Sequence, residues 1–210
     1  MIDLILVDDH QLFRASLKDL LQETQEFRVV AETGSGAQAR EILRSQKADV
    51  LVLDISLKDT TGLEFLEYVS KAKLTVNILV LSMYDESQYG LHAMRLGAKS
   101  YLTKDASPEE LKLALKKVAQ GRRYISASFS EVLSSNMINE SGASSWFELL
   151  TTKELEVMRF ISKGQRLNAI AAKLNLSPKT VSTYRHRILQ KLNLTNSAAI
   201  VRFCIEHNIE

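Results

Sequence analysis

Residues 50–54 are Val-Leu-Val-Leu-Asp, a short unbroken apolar run that ends in a carboxylate. The same form occurs at residues 4–9, where Leu-Ile-Leu-Val is followed by Asp8 and Asp9. Apolar runs of this length, bounded by polar residues, are typical of strands buried on both faces of a parallel sheet. The two runs therefore predict two buried strands that end in three aspartates.

Two further stretches of the same half end in polar residues of other kinds. Residues 78–81 are Ile-Leu-Val-Leu and precede Ser82, and residues 100–103 are Ser-Tyr-Leu-Thr and precede Lys104. The carboxyl ends of parallel strands lie along one edge of an open α/β sheet, where ligands bind. We therefore expect three carboxylates, one hydroxyl and one ammonium group to converge on a single pocket.

The charges of this pocket indicate its chemistry. Three clustered carboxylates repel one another unless a cation lies among them. Oxygen ligands of this kind suit Mg²⁺, a hard ion that usually keeps several waters and acts on phosphate groups. A carboxylate that remains available can attack phosphorus and form an aspartyl phosphate.

The first 120 residues alternate between strand-like and helix-like patterns. Five such units in succession predict a parallel sheet with helices on both faces. The predicted strands lie near residues 3–7, 28–32, 49–53, 77–81 and 100–102. The predicted helices lie near residues 11–22, 36–45, 62–70, 86–96 and 107–120.

The rest of the chain has a different organisation. A serine-rich stretch predicts a tether or loosely ordered segment, with room for a short helix near residues 129–137. From residue 150 the pattern is entirely helical, with predicted helices ending near residue 163 and covering residues 167–174, 178–192 and 197–207. We therefore predict an α/β domain at residues 1–121, a linker at 122–148 and an all-α domain at 149–210.

The composition is that of a soluble globular protein, with 45% apolar and 25% charged residues among 210. No apolar stretch approaches the ~20 residues that a membrane helix needs. The first residues carry no basic segment ahead of the apolar run, so no signal peptide is expected. The single cysteine, Cys204, cannot form a disulfide within the chain. We expect a cytoplasmic protein without a membrane partner.

Charge is divided unevenly between the two halves. Residues 1–120 contain 15 Lys and Arg against 18 Asp and Glu, a net charge of −3. Residues 121–210 contain 12 against 7, a net charge of +5. The halves therefore differ in the partners they favour, and the basic half is a candidate for binding nucleic acid.

Other interpretations of the acidic pocket are less consistent with the residues. Isolated aspartates are commonly helix caps, but that does not explain polar groups at the ends of four predicted strands. A phosphatase on a similar sheet commonly needs a second aspartate two residues after its nucleophile, where this chain has Ser56. A flavodoxin-like cofactor site usually has a loop rich in Gly, Ser or Thr after the first strand, and the chain has Asp8-Asp9-His10 there.

The first half resembles the receiver domain of two-component response regulators over about residues 1–120. The resemblance rests on Val7-Asp8-Asp9-His10, Asp54, Gly62-Leu63-Glu64, Ser82, Gly97-Ala98 and Tyr101-Leu102-Thr103-Lys104. It implies a flavodoxin-like (βα)5 fold in which Asp54 accepts a phosphoryl group from a sensor histidine kinase. It also implies Mg²⁺ held by Asp9, Asp54 and the backbone carbonyl of Ser56, with Asp8 acting through water.

The resemblance further assigns roles to three residues on the neighbouring strands. Lys104 would pair with the phosphoryl oxygens, and Ser82 would donate a hydrogen bond to one of them. Movement of Ser82 would free space for Tyr101 to swing inward and change the surface near the last helices of the domain; the alternative for Tyr101 is a fixed edge-strand aromatic. Many receivers carry a proline four residues after the phosphorylated aspartate, where this chain has Lys58, so a more mobile loop is expected.

The predicted helix at residues 178–192 has two distinct faces. At 100° per residue, Val181, Tyr184, Ile188 and Leu192 fall on one stripe that should face the core. The helix contains no acidic residue, and residues 149–210 carry ten Lys and Arg against four Asp and Glu. A short helix, a tight turn and a capped helix predict a helix-turn-helix whose second helix enters the major groove.

This region resembles the LuxR/FixJ-type output domain over about residues 149–210. The resemblance rests on Leu150-Thr151-Thr152-Lys153-Glu154-Leu155-Glu156-Val157, Gly164, Ile170-Ala171, Leu174, Ser177-Pro178-Lys179-Thr180-Val181 and Lys191-Leu192. It implies a four-helix unit that binds double-stranded DNA, with a dimer contact through Ala198, Val201 and Ile205. The predicted base-reading residues are Ser182, Thr183 and His186. The predicted phosphate contacts are Lys179, Thr180, Arg185, Arg187 and Lys191.

Together these features identify the chain as a response regulator of the NarL/FixJ type. We expect a phosphorylation-controlled transcription regulator that dimerises when phosphorylated, and not an enzyme. Two alternatives stay open at this point. The first is a constitutive DNA-binding protein whose receiver is only a docking module, and the second is a phosphohydrolase acting on external substrates.

Overall fold

The computed structural model describes residues 1–138, 150–207 and 209. The chain forms two compact units, Met1–Leu133 and Ser134–Glu210. Part of the predicted linker, at 139–148, falls outside the described residues. Among the described residues, no helix is both long enough and apolar enough to span a bilayer.

The first unit is built on a five-stranded parallel sheet in the order β2-β1-β3-β4-β5. This confirms the predicted sheet, and each strand ends within one residue of its predicted limits. The strands are β1 (Ile2–Val7), β2 (Phe27–Thr33), β3 (Val50–Leu53), β4 (Asn77–Ser82) and β5 (Ser100–Thr103).

Helices follow the strands in alternation, as the pattern predicts. The first five are α1 (Gln11–Gln22), α2 (Gly36–Ser45), α3 (Gly62–Lys71), α4 (Glu86–Arg95) and α5 (Pro108–Ala119). Their starts are set by side-chain caps. Ser107 caps α5 ahead of Pro108, and Thr61 forms a reciprocal capping box with Glu64 at the start of α3.

The core lies on both faces of the sheet, which explains the unbroken apolar runs. All four residues of β3 are buried. Alternate residues of β1 point to opposite faces: Leu4 and Leu6 join the cluster that includes Leu17 of α1 and Leu115 of α5. Burial on both sides leaves the polar residues of these strands only at their ends.

The strand order brings the predicted site together. The chain runs outward from β1 to β2 and then returns past β1 to β3, so connections leave in opposite directions from adjacent strands. Such a switch point opens a crevice at the carboxyl ends of the strands. Val7 and Leu53 are paired across β1 and β3, so the residues after them are neighbours.

Residues 122–133 pack on the first unit, which corrects the expectation of a loose tether for this part of the linker. The backbone N–H of Tyr124 donates to the carbonyl of Lys99 at 3.0 Å. Helix α6 (Ala127–Ile138) begins here, which confirms the short predicted helix. Phe129 of α6 is fully buried against Gly90, because burial removes the large apolar surface of its ring from water.

The second unit is all-helical, as predicted. Its described helices are α7 (Thr152–Ser162), α8 (Leu167–Lys173), α9 (Pro178–Lys191) and α10 (Ser197–Glu206). The turn between α8 and α9 has Asn175 in the left-handed region (φ 52°) and Ser177 as the cap of α9. Of the predicted apolar stripe, Val181 and Ile188 are fully buried, whereas Tyr184 and Leu192 are partly buried.

Candidate functional site

Carboxylates from two adjacent strands meet at the carboxyl edge of the sheet. Asp8 and Asp54 are buried, with 5% and 2% of their surface exposed. One ligand atom from each of Asp8, Asp9, His10 and Asp54 lies within 4.8 Å of all the others. The structure thus brings together the three aspartates that the strand ends predict.

Lys104 reaches this cluster from the end of β5. Its ammonium lies 2.6 Å from Oδ2 of Asp8 and 2.7 Å from Oδ2 of Asp54. The side chain is 3% exposed, and the ammonium lies 4.5 Å from the centre of the Phe13 ring. Burial against an aromatic face strengthens these ion pairs, because little water competes for the charge.

The pocket carries more negative than positive charge. Burial raises the pKa of Asp54, although the hydrogen bond and charge of Lys104 act in the opposite direction. One ammonium cannot balance three carboxylates, so a site of this kind attracts a further cation.

The donors present fit a magnesium ion. Carboxylate oxygens are the ligands that this ion prefers. Oδ1 of Asp9 is buried and accepts no hydrogen bond of good geometry from the described residues, although Nδ1 of His10 lies 2.9 Å from it, so this oxygen is available to a cation. The backbone N–H of Ser56 donates to Oδ1 of Asp54 at 3.2 Å, which places the Ser56 backbone at the same edge. The part of Ser56 as a ligand stays a prediction.

His10 is a site residue to which sequence reasoning assigned no role. Its Nδ1 lies 2.9 Å from Oδ1 of Asp9 and 3.8 Å from Oδ2 of Asp54. Its backbone N–H donates to Oδ1 of Asp8 at 2.8 Å. The only signal in the sequence is its place directly after the aspartate pair, at the cap of α1.

Ser82 and Tyr101 contact the same neighbour, Tyr84. Both are fully buried. The backbone N–H of Tyr84 donates to Oγ of Ser82 at 3.4 Å, and the Tyr101 hydroxyl donates to the Tyr84 carbonyl at 2.9 Å. Tyr101 therefore already lies inward in this structure, and its role as a switch stays a prediction.

In the second unit, the predicted DNA-contacting residues share the outer side of α9. Four of them are exposed: Lys179, Thr183, His186 and Arg187. Three are partly buried: Thr180, Ser182 and Arg185. The face carries basic and hydroxyl groups but no carboxylate, which suits contact with a phosphate backbone.

Lys191, another predicted phosphate contact, has a partner inside the unit. Its ammonium lies 2.5 Å from Oε2 of Glu154, which is 1% exposed. Glu154 also accepts from the backbone N–H of Thr151 at 2.8 Å, within the capping box of α7. In the sequence Glu154 stands out only as part of the LuxR/FixJ-type motif, and no local pattern links it to a residue 37 positions away.

The residues predicted to form a dimer contact lie on α10. Ala198 and Ile205 are exposed and Val201 is partly exposed. Ile205 exposes 71% of its surface, whereas Ile200 and Cys204 on the other side of α10 are buried. An exposed isoleucine next to small apolar groups favours contact with a partner surface, and this contact stays a prediction.

Comparison with known proteins covers both units. Residues 4–116 match the response regulator receiver domain, and residues 148–204 match the luxR family of bacterial regulatory proteins. The response regulator UvrY of Escherichia coli strain K12 is 34% identical over 100% of this chain and 96% of its own length. The response regulator GacA of Pseudomonas aeruginosa is 30% identical over 100% and 98%. The two-component response regulator RcsB, solved as a complex with DNA, is similar with a TM-score of 0.62 and 25% identity over 97% and 98%.

Proposed function

Because the chain belongs to the response regulators that join a receiver domain to a LuxR-type domain, we propose that phosphorylation of Asp54 controls its binding to DNA. The protein is a transcription regulator of a two-component system, and the family and fold predicted from the sequence are confirmed. The observation that carries the proposal is a buried Asp54 carboxylate 2.7 Å from the Lys104 ammonium, beside two further carboxylates.

The phosphoryl donor is a phosphohistidine of a sensor histidine kinase. An oxygen of Asp54 forms the new bond to phosphorus while the bond from phosphorus to the donor imidazole breaks. Lys104, already paired with Oδ2 of Asp54, holds its ammonium where the phosphoryl oxygens gain charge. The walls of the pocket are buried, so these interactions are weakly screened.

A magnesium ion at this site would be held by Asp9, Asp54 and the backbone carbonyl of Ser56, with Asp8 acting through water. When bound, it supplies positive charge that neutralises the phosphoryl oxygens. Oδ1 of Asp9 supports this assignment, because it is buried and accepts no hydrogen bond of good geometry even though Nδ1 of His10 lies 2.9 Å away. Asp8 meanwhile keeps its own ion pair with Lys104 at 2.6 Å, which fixes the ammonium beside the acceptor.

Ser82 links the new phosphoryl oxygens to the rest of the receiver. A short hydroxyl side chain must turn or move to donate to such an oxygen, and Oγ of Ser82 now accepts from the N–H of Tyr84. The carbonyl of Tyr84 holds the Tyr101 hydroxyl. Movement of Ser82 would therefore disturb Tyr84, near the start of α4, and with it the hydrogen bond that holds the Tyr101 hydroxyl.

DNA is bound by the helix-turn-helix of the second unit, with α9 in the major groove. Lys179, Arg185 and Arg187 contact phosphates, while Ser182, Thr183 and His186 face the base edges. The ammonium of Lys191 lies 2.5 Å from Oε2 of Glu154. This ion pair limits how far the ammonium can move toward a DNA phosphate. Two copies joined through α10 would place two recognition helices on two half-sites, so phosphorylation that favours the homodimer favours DNA binding.

The other two functions fit the residues less well. A docking-only receiver gives no reason for a buried acceptor carboxylate paired with a buried ammonium. Turnover of external phosphate esters would need a further acid or base, and the position two residues after Asp54 holds Ser56. We therefore propose that the protein acts without turnover of an external substrate, in the cytoplasm where its kinase and DNA partners are found.

The test compares DNA affinity of the full chain with and without acetyl phosphate and Mg²⁺. The wild type and an Asp105→Ala control, which removes an exposed carboxylate, should bind DNA more tightly after treatment. Asp54→Ala should show no change and no phosphoryl mass increment. Equal affinity of all proteins in all conditions would rule out control by phosphorylation and favour the constitutive alternative.

A further inference from the structure

We propose that Asp59 is a positioning residue, whose carboxylate ties the loop after the phosphoacceptor to the start of α2 and so sets the Ser56 carbonyl toward the metal ion. The inference rests on the proposed function, because it concerns the same pocket. Lys58 stands where many receivers have proline, and a more mobile loop is expected on that ground. The contacts of Asp59 indicate the opposite.

Asp59 accepts three hydrogen bonds from the cap and first two residues of α2, which lie more than 20 residues earlier in the chain. Its Oδ1 accepts from the backbone N–H of Gly36 at 2.9 Å. Its Oδ2 accepts from the hydroxyl of Ser35 at 2.7 Å and from the backbone N–H of Ala37 at 3.0 Å. The first N–H groups of a helix have no partner within the helix, so a carboxylate at this position satisfies two of them.

The helix does not need Asp59 as its ordinary cap. Ser35 already caps α2, because its Oγ accepts from the backbone N–H of Gln38 at 3.3 Å. Asp59 therefore adds a bond between two elements to a helix end that has a cap of its own. Burial pulls the pKa of Asp59 upward, but the N–H groups of α2 and the Ser35 hydroxyl outweigh it, and the net pKa is lowered. The carboxylate is thus charged at neutral pH, where it also interacts favourably with the helix dipole.

Packing reinforces the same attachment. A Cβ added to Gly36 would lie 2.2 Å from Cγ2 of Thr60. That distance is far below van der Waals contact, so the loop lies directly on the first residue of α2. A side chain at position 36 would displace the loop, which explains glycine at the start of a helix despite its low helix propensity.

The other end of the loop is held by α3. Thr60 donates its hydroxyl to Oε2 of Glu64 at 2.9 Å, and the backbone N–H of Thr61 donates to the same oxygen at 3.1 Å. Ser56 and Thr61 form an isolated antiparallel bridge. The segment from Ser56 to Thr61 is therefore closed on itself and attached to two helices, with Asp59 as its link to α2.

The position of the Ser56 carbonyl depends on this closed loop. Ser56 lies two residues after the phosphoacceptor, and its N–H contacts Oδ1 of Asp54. A metal ligand from the backbone has no side chain with which to adjust, so the loop must hold it in place. A proline at position 58 would restrict φ there. This chain has Lys58 instead, and the hydrogen bonds of the charged Asp59 carboxylate hold the loop.

The experiment measures Mg²⁺ affinity and phosphorylation by acetyl phosphate in the full chain. Asp59→Ala should weaken Mg²⁺ binding about fivefold, a value expected for the loss of a cap-type anchor of about 1 kcal/mol. The phosphorylation rate at saturating Mg²⁺ should stay close to that of the wild type. Asp59→Asn keeps one acceptor oxygen but lacks the second oxygen and the charge, so its loss of affinity should be smaller than that of Asp59→Ala.

Two further variants separate the loop from the helix. Ser35→Ala removes the cap of α2 and the hydroxyl bond to Asp59 but leaves the two backbone bonds of Gly36 and Ala37 to Asp59, so it should lower the thermal midpoint with a much smaller change in Mg²⁺ affinity than Asp59→Ala. Adding Lys58→Pro to Asp59→Ala should restore part of the lost affinity, because proline reduces the freedom of the untethered loop.

Three results would overturn the inference. The first is unchanged Mg²⁺ affinity in Asp59→Ala. The second is an equal loss in Asp59→Asn, which would make the effect one of charge alone. The third is an equal loss in Ser35→Ala, which would make it an effect of helix stability. A wild type that binds Mg²⁺ but gains no phosphoryl group would instead contradict the proposed function, and the affinities of the variants would still decide the role of Asp59.

Discussion

The ammonium of Lys191 lies 2.5 Å from Oε2 of Glu154, and this pair joins the last turn of α9 to the first turn of α7. Glu154 is almost completely buried, whereas the Lys191 side chain is about one-third exposed (34%). The same carboxylate closes the capping box of α7 with Thr151. One acidic side chain therefore fixes both the start of one helix and the orientation of the helix predicted to read DNA.

Lys191→Ala should lower the free energy of unfolding of the second unit by about 1–3 kcal/mol, because it leaves a buried carboxylate without its charged partner. Unfolding of the full chain in urea, followed by circular dichroism, measures the change. Lys179→Ala is the matched control, since Lys179 is exposed on the same helix and should stay within about 0.5 kcal/mol. Equal stability of the two variants would show that the pair contributes nothing.

The same pair predicts a dependence of stability on acid. Burial pulls the pKa of Glu154 upward, but Lys191 and Thr151 outweigh it, and the net pKa falls below the usual 4.5. A carboxylate whose folded pKa is lowered stabilises the fold above its unfolded pKa, and this contribution is lost as pH falls through the folded value. Thermal midpoints measured between pH 7 and pH 3 should therefore fall less steeply for Glu154→Gln than for the wild type, and parallel curves would contradict this.

Phe129 should be among the most sensitive positions of the first unit. Its ring is fully buried, and a Cβ on Gly90 would lie 2.7 Å from it. Phe129→Ala should cost about 3–5 kcal/mol through the cavity that it leaves, and Gly90→Ala about 1–3 kcal/mol through overpacking. Ile125→Ala, at a position 38% exposed, is the control. Thermal unfolding in which Phe129→Ala matches this control would mean that the ring is not packed as described.

Tyr101→Phe tests the contact with the segment after β4. The variant removes the hydroxyl that donates to the Tyr84 carbonyl at 2.9 Å and should destabilise the first unit by about 1 kcal/mol. If Tyr101 takes part in the response to phosphorylation, the gain in DNA affinity on treatment with acetyl phosphate should also change. A stability loss with an unchanged gain would leave Tyr101 as a purely packing residue.

Lys179 and His186 should affect DNA binding in different ways. Lys179→Ala should weaken binding to all sequences and reduce the slope of log K against log salt by about 1. His186→Ala should cost about 1–3 kcal/mol on the specific site and relax the preference at one position. Lys163→Ala, an exposed lysine at the end of α7, should change neither. Gel shifts at several salt concentrations, on specific and scrambled DNA, would distinguish these outcomes.

The elements of the fold could be predicted because their signals are local. The apolar runs of β1 and β3 are unbroken since both faces of these strands are buried, and Asp8 and Asp54 follow directly after these runs. The fixed geometry of parallel strands then places these residues on one edge. Caps such as Ser107 and Ser177 mark helix starts within four residues of sequence, so the helix boundaries could also be predicted.

Contacts between distant segments could not be predicted in this way. Asp59 bonds to Gly36, Glu154 to Lys191, and Phe129 packs against Gly90, and no periodicity links the members of these pairs. The serine-rich composition after α5 favours a loose segment, but Ser126 is buried and donates its hydroxyl to Oε1 of Glu86 at 3.0 Å. A small polar residue with a hydrogen-bond partner can be buried as readily as it can be solvated, so composition alone does not decide between the two.

The packing of Phe129 also bears on where this protein can be divided. The receiver-like pattern ends at Gly121. A fragment ending there would lack the Phe129 ring that covers Gly90 and the Ser126 hydroxyl that donates to Glu86. Its freshly opened surface would be apolar around a buried carboxylate, a combination that promotes aggregation. A truncated version intended for crystallography or spectroscopy of the receiver alone should extend at least to Leu133, where the first compact unit closes.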